Sequence, residues 1–584
     1  MINGERFFTR LKALLIVIKI DLSSELTKGK TRTLGIYFVG TAFMELMAYL
    51  YQGIFSVIAS RMWVLGGLAC GASILSSFFC TVIYDIKERK LLSIGLLVIL
   101  LLFLSSIIGN LYYTEISPDA TQQMAAGLAS YHIEDLNYTG KAFLGYPARQ
   151  YVIAALPAFL FGRSLASLQW GFALPFFIGL LSFYCGLRKW AEKLNISTQV
   201  CALPLYALFV FPFVSEYFTI FEQAIYPISF TMLVTGFFLL LLCKPNIVNF
   251  IGLAWSGCML STSYTPSLAT FGLLLVFTIL AAITLLIRPK LMPFTVKAPP
   301  LTAKALFFLT VNIFIYFLAT LIDKRQDRFT QIRTDVEIVK QSINNVCDFL
   351  TDKNAAFLGM FGIVVIVYLL SGLSLRLKLR DCLIAMWTLA VFAITYLMRG
   401  YCSYDEAFIM QRAMVVLPVI VMGVTLTIYD MLRARKRRIN PWRVVIIAIS
   451  FSFIGLSNFR QINQSFIYFN YIQPMKYMLE DLEATVRESK LDANSEFNII
   501  LYTDNPLIKN PMDYCTFLYP HCNVYTPDFG VIPEELNKNL TTFIYGDSEL
   551  PQWVETIDSF EITDERYEMD FTWYKGRIIE NQIK

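Results

Sequence analysis

The sequence predicts an all-α polytopic membrane bundle of about thirteen transmembrane helices, followed by a small C-terminal α/β soluble domain, and three observations carry this. Hydrophobic residues fill 56% of 584 positions, charged residues only 16%, and mean hydropathy is +0.55. A soluble chain of this length needs more polar surface to cover its cores. The apolar residues also come in long runs, such as LLSIGLLVILLLFLSSIIG at 91–109 and LVTGFFLLLL at 233–242. Crossing the hydrocarbon takes roughly 20 apolar residues in a helix, because lipid satisfies no backbone polar group. A β-barrel would instead show short segments of alternating hydrophobicity, which are absent. From residue 459 onward the composition turns abruptly polar.

The expected spans are 33–58, 62–83, 91–112, 165–187, 198–214, 225–243, 247–264, 267–287, 305–322, 355–373, 381–398, 413–432 and 443–458. The segment YVIAALPAFLFG at 151–162 is apolar but too short to cross, so it is read as re-entering or lying at the outer interface. Residues 1–32 form an amphipathic cytoplasmic N-terminus, not a cleavable signal, because Lys12 and Lys19 interrupt the apolar stretch. Its Phe7, Leu11, Leu14, Leu15 and Ile18 recur at helical spacing, which fits a helix on the cytoplasmic leaflet or one packed on the bundle.

Lys and Arg are retained in the cytoplasm. An internal N-terminus keeps Lys87–Lys90, Arg188–Lys189, Arg288–Lys290, Arg376–Lys378 and RARKRR at 433–438 inside. The membrane domain is then 33–458, with large outer loops at 113–164 and 323–354, and 459–584 is extracytoplasmic. The location expected is a bacterial plasma membrane. The net charge of +5 follows from this topology and does not indicate nucleic-acid binding.

The tail is read as α/β because strand-like runs, FNIILYT at 497–503 and TTFIYG at 541–546, alternate with helical stretches. Asp504 ends an apolar strand, where α/β sheets often bind ligands, but no glycine-rich turn follows. Cys515 and Cys522 lie in this outer domain, where oxidation is permitted; spacing alone leaves a bridge and two free thiols both open. The chain contains two histidines, His132 and His521, and no cluster with zinc-ligand spacing, which leaves little room for His-based metal or triad chemistry.

Chemistry therefore rests on carboxylates. Glu45 is the clearest acid deep in a span, where charge usually marks an ion or proton pathway. Asp119, Glu134, Asp135, Glu216, Glu222, Asp405 and Glu406 instead gather at the expected outer mouths of different helices. That distribution points to a site at the outer surface, where a polar substrate meets a lipid carrier. In the first outer loop Ser117 and Pro118 form a helix start, with Asp119 in the first turn and Gln122 and Gln123 on its face. Met124, Leu128 and Tyr131 make an apolar stripe that suits a helix lying along the interface. By itself Asp119 reads equally as a carboxylate favoured by the helix dipole.

The order of Asp119, Tyr146, Pro147 and Leu160–Phe161–Gly162 resembles the first-loop region of the GT-C superfamily of polyprenyl-phosphate-dependent glycosyltransferases, which includes protein O-mannosyltransferases and lipid A aminoarabinose transferases. Ala120 and Ala148 stand where the family often has a second acid and a second proline, and two extra spans precede the loop. Glu216 and Glu222 follow where the family carries a further acid, and Arg412 with Pro418 matches a late arginine and proline-bearing helix, Ala413 replacing tyrosine. Taken singly, Glu222 reads as an interfacial helix end and Arg412 as a side chain snorkelling to lipid phosphate.

The resemblance implies transfer of a sugar from a polyprenyl-phosphate-linked donor to a cell-envelope acceptor (lipid, glycan or protein) on the extracytoplasmic face. Asp119 and Glu222 are then the catalytic carboxylates, with Glu216 as the alternative second acid. Gln123, Tyr146, Arg149, Arg163, Arg325, Arg328 and Arg412 are expected to bind substrate or phosphate, a guanidinium being suited to both phosphate oxygens. The resemblance leaves two options for a cofactor, a divalent Mg or Mn ion held by Asp119 and Glu222 or none. The alternatives are a flippase or transporter for lipid-linked sugar, which Glu45 would serve, and an O-antigen-type polymerase.

Overall fold

Helices packed closely together need small residues where they touch, and apolar ones suit a lipid environment on their outer faces. The computed structural model describes residues 29–51, 54–88, 118–129, 149–193, 225–243, 247–263, 336–352, 473–492, 494–503, 511–564 and 569–579. These residues are mostly helical, with one small sheet near the C-terminus. Two helices are long and apolar enough to cross a membrane, over Val57–Lys87 and Leu165–Lys189; Val39–Ala48, Tyr151–Phe161, Tyr226–Leu240 and Ile251–Leu260 are shorter apolar stretches. The spans expected at 91–112, 198–214, 267–287, 305–322 and from 355 to 458 lie outside the described residues.

Helix α1 (Gly29–Tyr51) is followed closely by α2 (Ile54–Lys87). Residues 59–61, expected to separate two spans, lie inside α2. Ala59, Ser60 and Arg61 are ordinary helix-interior residues, and Arg61 points its charge outward from α2 without interrupting it. At 34 residues α2 is about 50 Å long, longer than a hydrocarbon core of about 30 Å. Leu65, Leu68, Leu75, Phe79 and Ile83 are exposed along it, an apolar flank that no other described element covers.

The helices that follow the first outer loop are α3 (Pro118–Ala129), α4 (Arg149–Ala154), α5 (Leu156–Phe161) and α6 (Leu165–Lys193). Central helix α6 buries Phe172, Phe176, Leu180, Phe183 and Leu187. Pro175 lies inside it and has no N–H to give the Gly171 carbonyl; the Tyr226 hydroxyl reaches that oxygen at 3.5 Å. Tyr226 opens α7 (Tyr226–Cys243), which runs parallel to α6. Their contacts advance together along both chains: Gly179 meets Ser229, Ser182 Oγ donates to Leu233 O at 3.4 Å, and Gly186 meets Gly236. A Cβ at Gly236 would stand 2.2 Å from Ser182 Oγ, so small residues here let two backbones touch. Helix α8 (Ile247–Ser263) closes the group, its Trp255 indole donating to Trp63 O at 2.9 Å. Helix α9 (Val336–Asp352) is amphipathic and lies in the second expected outer loop.

The C-terminal domain comprises α10 (Gln473–Glu488), β1 (Asn498–Tyr502), α11 (Pro511–Leu518), β2 (Asn523–Tyr525), β3 (Thr542–Gly546), β4 (Val554–Asp564) and β5 (Met569–Ile578). The strand order is β2-β1-β3-β5-β4. β1 pairs parallel with β2 and β3, and β5 runs antiparallel to β3 and β4. β1 is buried on both faces, which its unbroken apolar run NIILY requires. Ile499 and Leu501 join the core shared with both helices, whereas Ile500 and Tyr502 pack with Leu536, Ile544 and Trp553 on the other face. A polar seam fixes α10 to the sheet: Tyr545 donates to Asp481 at 2.7 Å, and Lys575 Nζ lies 3.0 Å from the same carboxylate. Buried Asn498 ties the parallel strands together, donating to Asn537 O at 2.8 Å and accepting from Asn523 at 3.1 Å.

Candidate functional site

The site is built on α3. Pro118 supplies the helical φ of its first position, and Asp119 is its second residue, in the turn where backbone N–H groups have no helical partner. Two glycines seat the helix. A Cβ at Gly127 would stand 2.2 Å from Tyr151 O, and one at Gly171 would stand 2.1 Å from Ala154 O and 2.6 Å from Met124 Cε. Only hydrogen fits at either place, so α3, α4 and α6 are locked backbone to backbone.

The burial of α3 is wider than its pattern implied. Ala120, Thr121, Gln123, Met124 and Leu128 are all buried. Gln123, expected on an open polar face beside Asp119, is 3% exposed. The expected interfacial stripe of Met124 and Leu128 packs instead into protein, against α4 and α6 and under α11 of the C-terminal domain. The physical reason is that a second protein layer covers this helix where lipid was expected.

The apolar stretch after the loop folds as two short helices and does not continue as one. α5 carries Pro157 near its start and ends at Gly162, whose φ of 91° few other residues adopt and whose N–H reaches Ala158 O at 3.0 Å. This explains the glycine of the Leu160–Phe161–Gly162 turn. Phe159, Leu160 and Phe161 are exposed, Phe161 by 86%.

Arg163, expected to bind phosphate, comes next. Its Nη1 donates to Phe517 O at 3.1 Å, and its guanidinium carbon sits 5.9 Å from the centre of the Phe517 ring. It therefore engages the C-terminal domain. Arg149 is the first residue of α4. Tyr146, Glu216, Glu222, Arg325, Arg328 and Arg412 lie outside the described residues, as does Asp504. Among the described residues no group of three His, Cys, Asp or Glu side chains comes together to hold a metal ion.

Three buried charged residues lie away from α3, and two of them form a pair that the sequence did not reveal. Glu45 is 3% exposed and accepts a hydrogen bond from the Trp63 indole, between α1 and α2. Asp85 and Arg188 form a buried ion pair at the C-terminal ends of α2 and α6, with Glu192 3.7 Å from Arg188 Nη1. Each of these two sits at the end of an apolar run, a position that reads locally as a helix-end charge. Only the parallel placement of α2 and α6 joins them.

In the C-terminal domain Cys515 and Cys522 are free thiols, Cys522 Sγ lying 3.9 Å from Cys515 O. Burial pushes the Cys522 thiol up to about 12 and raises Cys515 as well, so neither is a ready thiolate. At the carboxyl ends of the parallel strands, Thr503 donates to Asp547 at 2.7 Å and the Asp547 N–H reaches Tyr502 O at 3.1 Å.

No protein-family model, curated protein or solved structure matches this chain.

Proposed function

We propose that the chain is a multi-pass membrane glycosyltransferase of GT-C type that moves a sugar from a polyprenyl-phosphate-linked donor to an acceptor on the extracytoplasmic face. The observation that carries this reading is the seat of α3. The helix bearing Asp119 is clamped at the N-terminal ends of α6 and α7 and covered by the C-terminal domain, at the opposite end from Asp85 and Arg188.

The helix directions support the larger span count. α2 and α6 run parallel, joined at their C-terminal ends by Asp85 and Arg188, and α6 and α7 run parallel along their glycines. Parallel neighbours need a return crossing, and the apolar runs at 91–112 and 198–214 are long enough to supply it in each connection. The exposed apolar flank of α2 and the exposed Phe159–Phe161 tip suit lipid and its interface. A topology with basic loops inside leaves α3 and the tail outside together.

In the transfer, the bond between the anomeric carbon and the donor phosphate breaks as a bond to the acceptor oxygen forms. The acceptor proton passes to the Asp119 carboxylate, and the polyprenyl phosphate leaves with the bonding pair. Arg149, Arg325, Arg328 and Arg412 are the guanidinium groups proposed to hold that phosphate. A divalent ion would add charge neutralisation at the phosphate. Glu222, its second expected ligand, is outside the described residues, and no step here runs through a metal.

The carrier alternative leans on Glu45, which accepts a hydrogen bond from the Trp63 indole between α1 and α2. The test is Asp119→Asn in purified protein given a polyprenyl-phosphate sugar and a cell-envelope acceptor extract. Transfer should fall by about 10² to 10⁴ with expression unchanged, whereas Glu45→Gln should leave it near wild type. Full transfer by Asp119→Asn would overturn the site. Movement of lipid-linked sugar across vesicles by the wild type, with no transfer, would establish the carrier.

A further inference from the structure

Among the described residues the C-terminal domain meets the apolar helices where α11 packs on α3, and Arg163 stands at the edge of that contact. Its backbone is held on both sides. Gly162 before it ends α5, and Ser164 and Ser167 after it cap α6 reciprocally, Ser164 N–H to Ser167 Oγ at 3.0 Å and Ser167 N–H to Ser164 Oγ at 3.1 Å. The guanidinium is thus presented from a fixed turn.

What it meets is the end of a helix. Phe517 is the penultimate residue of α11, and its carbonyl belongs to the last turn, whose oxygens have no partner within the helix. A cation there satisfies the acceptor, complements the negative end of the helix dipole and lies over the Phe517 ring. We propose that Arg163 is a positioning residue that caps α11 and so holds the C-terminal domain against the helix carrying Asp119, making that domain a fixed wall on the acceptor side of the site. The acceptor-side part rests on the glycosyltransferase reading; the docking part does not.

The full-length protein in phospholipid nanodiscs, as wild type, Arg163→Ala and Arg163→Lys, tests the docking by amide hydrogen exchange. Arg163→Ala should speed exchange of 118–129 and 511–518 about tenfold, with the β1 amides unchanged, and lysine, which keeps one charged donor, should restore part of the protection. Unaltered exchange in α3 and α11 overturns the proposal. So does equal acceleration in β1, since Arg163 would then support the domain's own fold. In transfer assays Arg163→Ala should raise KM for the acceptor and leave KM for the polyprenyl-phosphate donor unchanged. A raised donor KM would return Arg163 to the phosphate and overturn the positioning role. If wild type transfers no sugar, the functional reading fails while the exchange result still decides the docking.

Discussion

Arg188 grips Asp85 at two points, Nε to Oδ2 at 3.2 Å and Nη2 to Oδ1 at 2.5 Å, with both side chains nearly inaccessible. A buried pair of this kind is costly to break from one side, because the remaining charge stays desolvated. Asp85→Leu or Arg188→Met should each destabilise the protein by about 3–5 kcal/mol, while the two together should recover most of the loss. Denaturation of the nanodisc-embedded variants measures this, and additive single effects would contradict it.

Gly127 and Gly71 offer a matched comparison on two helices. A methyl at Gly127 meets the Tyr151 carbonyl backbone at 2.2 Å, whereas one at Gly71 meets nothing within 4 Å. Gly127→Ala should lift α3 from α4 and cost about 1–3 kcal/mol, with sugar transfer lost as Asp119 moves. Gly71→Ala should be neutral or stabilise by up to about 1 kcal/mol. Thermal unfolding and transfer assays on the same preparations read both.

α11 packs on α3, and the proposed topology places the C-terminal domain and the first loop together on the outer side of the membrane. A cysteine at exposed Ser548 should therefore add labelling by a membrane-impermeant maleimide in spheroplasts, above the background of the unmodified chain. Labelling gained only after permeabilisation would invert the topology.

Lys476, at the start of α10, gives the C-terminal domain a signed pH dependence. Burial lowers its ammonium from 10.5 to about 8, opposed in part by Glu480. Below that value both folded and unfolded chains carry the proton, and the folded chain bears the full cost of the buried charge. Between about 8 and 10.5 the unfolded chain binds more protons, so stability rises with pH. Urea unfolding followed through buried Trp553 and Trp573 should show this rise between about pH 8 and about pH 10.5, and Lys476→Met should abolish the share that Lys476 contributes.

Composition and local pattern determined the elements. The runs at 225–243 and 247–264 are α7 (Tyr226–Cys243) and α8 (Ile247–Ser263), the proline at 118 opens α3, and NIILY and TFIYG are β1 and β3. Each depends on neighbours within a few residues: apolar length, a cap, or an unbroken apolar strand. The hairpin of β4 and β5 escaped notice because its residues are mixed and polar and its ladder forms only by pairing.

Tertiary structure alone decided what those elements touch. Gln123 looked open because the helix pattern says nothing of a second layer, yet it is buried in a helix that packs against α4 and α11. Arg163, read locally as a phosphate ligand, also donates to a carbonyl 354 positions away. Asp85 and Arg188, 103 positions apart, share one bond only because α2 and α6 run parallel. Periodicity is a property of adjacent turns, but a partner across the fold is set by which helix ends the packing brings to the same level, and one chain read in order does not contain that.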